Sequence, residues 1–113
     1  KPDPRPPSND KFTEGVAMPT FISLVSFTDQ GIRAVKDSPD RFNAFKAMAE
    51  KMGVTVKGIY YTIGTCDMVT IVEGPEDATT AVLLKVGSLG NVRSQTMRAF
   101  SIDEMRGMLG KMP

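Results

Sequence analysis

Residues 54–74, VTVKGIYYTIGTCDMVTIVEG, contain two apolar runs joined by the short segment GTCD at 64–67. Valine, isoleucine, tyrosine and threonine dominate both runs, and these residue types favour an extended backbone. A short connection containing glycine and aspartate folds consecutive strands back on each other as an antiparallel hairpin. The segment therefore predicts two neighbouring strands of a sheet with a tight turn between them.

The sequence before this hairpin predicts one strand and one interrupted helix. Residues 20–28, TFISLVSFT, are apolar on both alternating faces, which is typical of a central strand. A short helical turn is expected from about Gln30, followed by a break and a longer helix over residues 39–51. Ser38 is the expected N-cap of that helix, and Gly53 is the expected C-terminal glycine.

The sequence after the hairpin repeats the pattern and completes the fold. PED at 75–77 predicts a helix start, because acidic residues are favourable in a first turn. Residues 91–101 predict a fourth strand, and Ser101 with Glu104 is a capping-box signature for a short final helix. The order β-α-β-β-α-β predicts a ferredoxin-like α+β fold, with a four-stranded antiparallel sheet and both main helices on one face.

This architecture predicts self-association. The sheet face away from the helices is uncovered, yet its strands supply valine, isoleucine, methionine and tyrosine. A large exposed apolar face is a partner-binding surface. Two such sheets facing each other form a symmetric dimer called a dimeric α/β barrel, so we expect a homodimer or a larger homo-oligomer.

Composition excludes several classes of function. A formal net charge of +1 gives no strong field toward nucleic acid or an anionic membrane, so neither is an expected partner. The chain has no histidine, which removes the usual general base and the commonest metal ligand. No metal and no cofactor are therefore expected.

Location follows from the cysteine count and from hydropathy. The single cysteine cannot form an intramolecular disulfide, which favours a reducing compartment. No apolar run approaches the ~20 residues that span a bilayer, and the pattern of a signal peptide is not seen. A cytoplasmic protein is the expectation.

Residues 1–17 differ from the rest of the chain. Four prolines occur among the first seven residues, and proline lacks the N–H that a helix or an interior strand requires. The segment is expected to be a Pro-rich leader or an extended arm that lies on a neighbouring subunit. Residues 18–113 are the expected single domain.

Several blocks together resemble the GYD-domain family of small bacterial proteins, over about residues 18–108. The blocks are FTDQGIRAVKDSPDR, YYTIGTCD, IVEGPED and GSLGNVRSQTMRAFS. The resemblance implies a ferredoxin-like dimeric α/β barrel and no defined activity. The family's Gly-x-Tyr-Asp signature falls on Gly64, Cys66 and Asp67, so Cys66 stands where the family usually has tyrosine.

Five residues are the expected ligand-facing positions. They are Thr28, Tyr60, Tyr61, Asp67 and Arg98. Adjacent strand residues face opposite ways, so one tyrosine is expected beneath the helices and the other on the open face. Structural interpretations remain open for these and for the signature residues. The tyrosines can serve in core or interface packing, Gly64 and Asp67 as turn residues, and Cys66 as a small apolar side chain. Arg98 can form an ion pair with Glu73 or Asp67.

Three functions remain open at this stage. The first is a homo-oligomeric small-ligand-binding or accessory protein. The second is a cofactor-independent enzyme, oxygenase-like or isomerase-like, with Asp67 or Glu73 as base and a tyrosine or Arg98 stabilising negative charge. The third is a purely structural assembly module.

Overall fold

The computed structural model describes residues 18–113, and the predicted N-terminal arm lies outside this range. The elements are β1 (Thr20–Phe27), α1 (Asp29–Arg33), a 3₁₀ turn (Val35–Asp37), α2 (Ser38–Lys51), β2 (Thr55–Tyr61), β3 (Met68–Glu73), α3 (Glu76–Ser88), β4 (Val92–Ala99) and α4 (Ile102–Leu109).

The four strands form one antiparallel sheet in the order β2-β3-β1-β4. Strand β3 therefore lies between β1 and β2, and β1 lies between β3 and β4. This order, with α2 after β1 and α3 after β3, is the ferredoxin-like arrangement. The predicted α+β fold class is confirmed.

The predicted break between the first two helices is also confirmed, but one detail of it is wrong. Ser38 is the first residue of α2 and has helical backbone angles, so it is not the N-cap. The cap position belongs to Asp37, whose side chain makes no capping hydrogen bond. The Ser38 hydroxyl instead lies 2.8 Å from the hydroxyl of Tyr61.

The hydrophobic core lies between the sheet and the helices α2 and α3. Its buried members are Phe45, Ala49, Val54, Val72 and Val82. Ala49 is fully buried, and its small side chain lets α2 lie close to the chain below it. Burial of these side chains on one face is the main favourable contribution to folding.

A junction of backbone and side-chain hydrogen bonds ties the end of β1 to the start of β4. Thr28 Oγ1 accepts a hydrogen bond from the N–H of Gly31 at 3.0 Å and donates one to the carbonyl of Gly90 at 2.6 Å. The N–H of Thr28 donates to the carbonyl of Asn91 at 3.0 Å. The approach is so close that a Cβ on Gly31 would lie 1.9 Å from the Asn91 oxygen.

Helices long and apolar enough to cross a membrane are not found between residues 18 and 113.

The Gly31–Asn91 approach predicts that Gly31→Ala is strongly destabilising. The added methyl group must displace backbone, so we expect a loss of about 3 kcal/mol in the free energy of unfolding, at the upper end for overpacked sites. Urea unfolding followed by circular dichroism measures it. The control is Gly107→Ala, where a Cβ meets nothing within 4 Å. Equal stability of the two variants would contradict the proposed close contact.

Candidate functional site

The turn between β2 and β3 is held by short-range hydrogen bonds. Thr62 Oγ1 donates to the carbonyl of Cys66 at 2.7 Å, and the thiol sulfur of Cys66 lies 3.6 Å from the same hydroxyl. Gly64 has φ +139°, a backbone conformation that favours glycine. Cys66 is half-buried, and the turn places its thiol next to the Thr62 hydroxyl.

Asp67 joins this turn to the end of the central strand. Its Oδ2 accepts a hydrogen bond from the N–H of Phe27 at 2.8 Å, and its own N–H donates to the carbonyl of Val25 at 2.8 Å. The carbonyl of Asp67 accepts from the N–H of Thr62 at 2.8 Å. The carboxylate is therefore hydrogen-bonded to the backbone of β1 at the point where β1 no longer pairs with β3.

The two tyrosines face opposite sides of the sheet, as predicted. Tyr61 lies toward the helices, where its hydroxyl is hydrogen-bonded to Ser38 and its ring packs edge-on against Phe42 at a centroid distance of 5.6 Å. Tyr61 is nevertheless 52% exposed; Tyr60 lies on the opposite face and is 61% exposed. Only Tyr60 therefore offers its ring to the face that the helices leave uncovered.

Arg98 lies near the other end of the central strand. Its guanidinium carbon stands 4.3 Å from the ring centroid of Phe100 and 5.9 Å from that of Phe21. Such cation–π contacts, together with hydrogen bonds to the carbonyls of Thr20 and Ala99, orient the side chain.

The predicted ion-pair partners of Arg98 are wrong. Arg98 Nη2 lies 3.6 Å from Oε2 of Glu104, a residue of α4. Glu73 instead pairs with Lys57 at 3.9 Å, and Asp67 binds the backbone as described above. The residue pattern does not show this contact, because it depends on how the turn after β4 folds α4 back toward that strand.

The five predicted ligand-facing residues do not meet at one place. Thr28 and Asp67 lie at the end of β1, whereas Arg98 pairs with Phe21 near its start. Eight strand residues span roughly 25 Å at about 3.3 Å each. Asp67 and Arg98 therefore lie near opposite ends of β1. A role in ligand binding stays a prediction for each of the five residues.

The uncovered face of the sheet is a continuous apolar surface, called here the open face. In the register, Ile22 lies between Ile71 and Met97, and Leu24 lies beside Val69. Tyr60 extends the surface onto β2. Most polar residues of this face lie at the ends of the strands, namely Thr20, Ser26, Thr55, Glu73 and Arg93. Gln95, in the middle of the edge strand β4, is opposite Leu24.

Helix α4 carries a second apolar surface. Its exposed apolar side chains, together with one just beyond its end, are Ile102, Met105, Met108, Leu109 and Met112. Spacings of three, four and seven residues place them along one side of the helix. Among the described residues, α4 has no extended packing against another helix or strand. The surface is therefore exposed in the single chain.

A capping box and one ion pair hold α4 in place. The N–H of Glu104 donates to Ser101 Oγ at 3.0 Å, and the N–H of Ser101 donates to Glu104 Oε1 at 2.8 Å. The backbone hydrogen bond from Ser101 lowers the pKa of the Glu104 carboxyl below its ordinary value of 4.5, and the charge of Arg98 lowers the pKa in the same direction. The predicted capping box is confirmed.

A cavity of about 200 Å³ lies between the sheet and the helices α2 and α3. The polar residues of its lining are Ser23, Ser38, Arg41, Thr70, Asn91 and Ser94. None of these residues was expected to face a ligand. In sequence, a strand serine or threonine that faces a cavity cannot be told from one that faces a packed core.

These features define a class of protein. The domain is a ferredoxin-like α+β unit with one apolar sheet face uncovered and one amphipathic helix exposed, which are features of a protein that binds other molecules by surface contact. In residues 18–113 no group of three or more histidine, cysteine, aspartate or glutamate side chains is arranged to hold a metal ion.

The family follows from comparison with known proteins. The chain belongs to the GYD domain family, whose model matches residues 21–109. It is 33% identical over 90 residues to the glutamine synthetase and cystathionine beta-lyase binding protein of Thermus thermophilus, covering 78% of this chain and 95% of that protein. No solved structure matches the chain at a significant level.

Asp67 provides a test of the turn. In Asp67→Ala the N–H of Phe27 loses its acceptor, which should lower the free energy of unfolding by about 1–3 kcal/mol. Asp67→Asn retains an oxygen acceptor and should lose less. Urea unfolding of the three proteins measures the order. If the free energy of unfolding of the alanine variant lies within about 0.5 kcal/mol of that of the parent, the hydrogen bond contributes little to stability.

Glu104 provides a pH test of α4. A carboxyl with a lowered folded-state pKa stabilises the folded helix above its ordinary pKa, and this contribution is lost as pH falls below 4.5. We expect amide NMR signals of residues 102–109 to move toward coil values in that range, with a midpoint below 4.5. In Glu104→Gln the same signals should not show this step, because the amide does not titrate. A step that persists in the variant would assign it to another group.

Proposed function

We propose that the protein is an accessory protein that self-associates through the open face and binds a metabolic enzyme through α4. The observation that carries the proposal is the similarity over nearly the whole domain to a protein named for binding glutamine synthetase and cystathionine beta-lyase. The expected partner of this chain is accordingly the same organism's glutamine synthetase or cystathionine beta-lyase.

The open face supports self-association. Its centre is apolar and consists of Ile22, Leu24, Val69, Ile71 and Met97. A symmetric dimer buries the same surface on both subunits, and a flat apolar sheet meets this requirement with a second copy of itself. Charged residues such as Glu73 and Arg93 lie at its border and remain in contact with water, as is usual at an interface rim.

Helix α4 supports the binding of a different protein. Ile102 is 75% exposed and Met105 is 44% exposed, so both side chains are open to solvent in the single chain. An amphipathic helix binds a hydrophobic groove through residues one turn apart. Methionine side chains adapt to irregular surfaces, which suits a helix that contacts more than one enzyme.

The experiment mixes the purified protein with purified glutamine synthetase and, separately, with cystathionine beta-lyase. Size-exclusion chromatography with light scattering measures the mass of each species. The parent protein should be a dimer or larger alone and should form a heavier complex with at least one enzyme. A monomeric parent would contradict self-association, and failure to bind either enzyme would contradict the partner assignment.

Three lysine variants separate the two surfaces. Leu24→Lys places a charge at the centre of the open face and should give a monomer, because a lysine without a partner is costly to bury. Met105→Lys should keep the oligomer and lose the enzyme complex. Leu84→Lys is the matched control, because Leu84 is 69% exposed on α3, away from both surfaces. Enzyme binding unchanged in Met105→Lys would contradict the role of α4.

A further inference from the structure

The cavity between the helices and the sheet lies on the side opposite the open face. Ser23 and Val25 form part of its floor, Phe42 of α2 lines one wall, and Val86 and Gly87 of α3 line the other. With a volume of about 200 Å³ it is larger than the ~150 Å³ apolar cavities that take up benzene. It therefore has room for a small organic molecule.

Small residues at particular positions create this space. Ser23 and Thr70 are paired directly across β1 and β3, and they are only 1% and 4% exposed. A central sheet position beneath helices is normally occupied by a branched apolar residue. Gly87 lies near the end of α3, and a Cβ added there would meet nothing within 4 Å. The space would be smaller with ordinary side chains at these three positions.

Two of the hydroxyl groups that line the cavity already have partners. Ser23 Oγ is 2.7 Å from Thr96 Oγ1, and Ser38 Oγ, at the end of the cavity near α1, is 2.8 Å from the Tyr61 hydroxyl. The surface that remains for a ligand is mainly that of phenylalanine, methionine, leucine and valine side chains. The body of the ligand must therefore be apolar.

The lining contains one ionisable side chain, that of Arg41. Its Nη1 donates to the carbonyl of Ala34 at 2.9 Å, and its Nη2 donates to the carbonyl of Gly31 at 3.4 Å. These bonds hold the guanidinium and use two of its five N–H donors. No ion pair among residues 18–113 involves Arg41. A carboxylate is the group that best matches a fixed guanidinium.

We propose that this cavity binds a small monocarboxylic acid with an apolar body, such as one aromatic ring, and that Arg41 binds its carboxylate. The site goes beyond enzyme binding and does not depend on it, because its lining residues belong neither to α4 nor to the open face. Its occupant would replace the missing packing between α2 and α3 and would cover the hydrophobic side chains that face the cavity.

The experiment titrates the protein with benzoate and with neutral benzamide, using two-dimensional amide NMR. Benzoate should shift the signals of Ser23, Thr70 and Val86, and benzamide should bind about tenfold more weakly, because it lacks the charge that pairs with Arg41. Arg41→Gln should remove this difference by weakening benzoate alone. Absence of benzoate binding, or equal binding of the two probes to the parent protein, would overturn the proposal.

Gly87→Leu tests the cavity itself by adding a side chain to one of its walls. The leucine side chain has space on α3 and should fill the cavity, so neither probe should bind although the protein remains folded. Gly107→Leu, on the exposed helix α4, is the matched control and should bind both probes as the parent does. Benzoate binding that survives in Gly87→Leu would place the probe elsewhere and overturn the assignment. Because these titrations use the protein alone, their failure is distinct from a failure to bind an enzyme.

Discussion

Strand β1 pairs on both sides, with β3 and with β4, and its register decides which side chains the helices cover. Ser23 faces Thr70 on one side and Thr96 on the other, whereas Ile22 and Leu24 point away from the helices. A shift of one residue would exchange the two faces, placing isoleucine and leucine in the cavity and serine outside. The open face and the cavity are thus two results of one register.

The molecule has a packed region and a loosely packed region on the same side of the sheet. Ala49, Val54, Val72 and Val82 are almost completely buried at one end of the helix layer. The other end, where α2 begins and α3 ends, contains the cavity. The close contact of Gly31 with Asn91 and the hydrogen bonds of Thr28 keep the adjacent loops in place. The loops next to the cavity are therefore closely packed and hydrogen-bonded although its interior is not filled.

Sequence reasoning predicted the elements better than it predicted the site. The hairpin, the broken first helix and the Ser101–Glu104 capping box depend on local residue patterns, which a sequence displays directly. The pairing of Arg98 with Glu104 depends on how α4 turns back, and the cavity depends on which side chains are too small to fill a layer. Ser38 was misplaced as a cap because serine also suits a buried hydrogen bond, here with Tyr61.

The two edge strands of the sheet, β2 and β4, differ in how regular their solvent-facing backbone is. Strand β2 has a bulge between Val56 and Gly58, and Lys57 lies within it, so its outer row of amide and carbonyl groups is irregular and charged. Strand β4 pairs with β1 over eight consecutive residues without a bulge. Both edges carry charged side chains, but a regular edge accepts an added strand more readily than a bulged one. A strand added to this sheet, whether from another copy in a fibre or from an extended peptide, would therefore pair with β4. The sheet would be extended from that edge and not from β2.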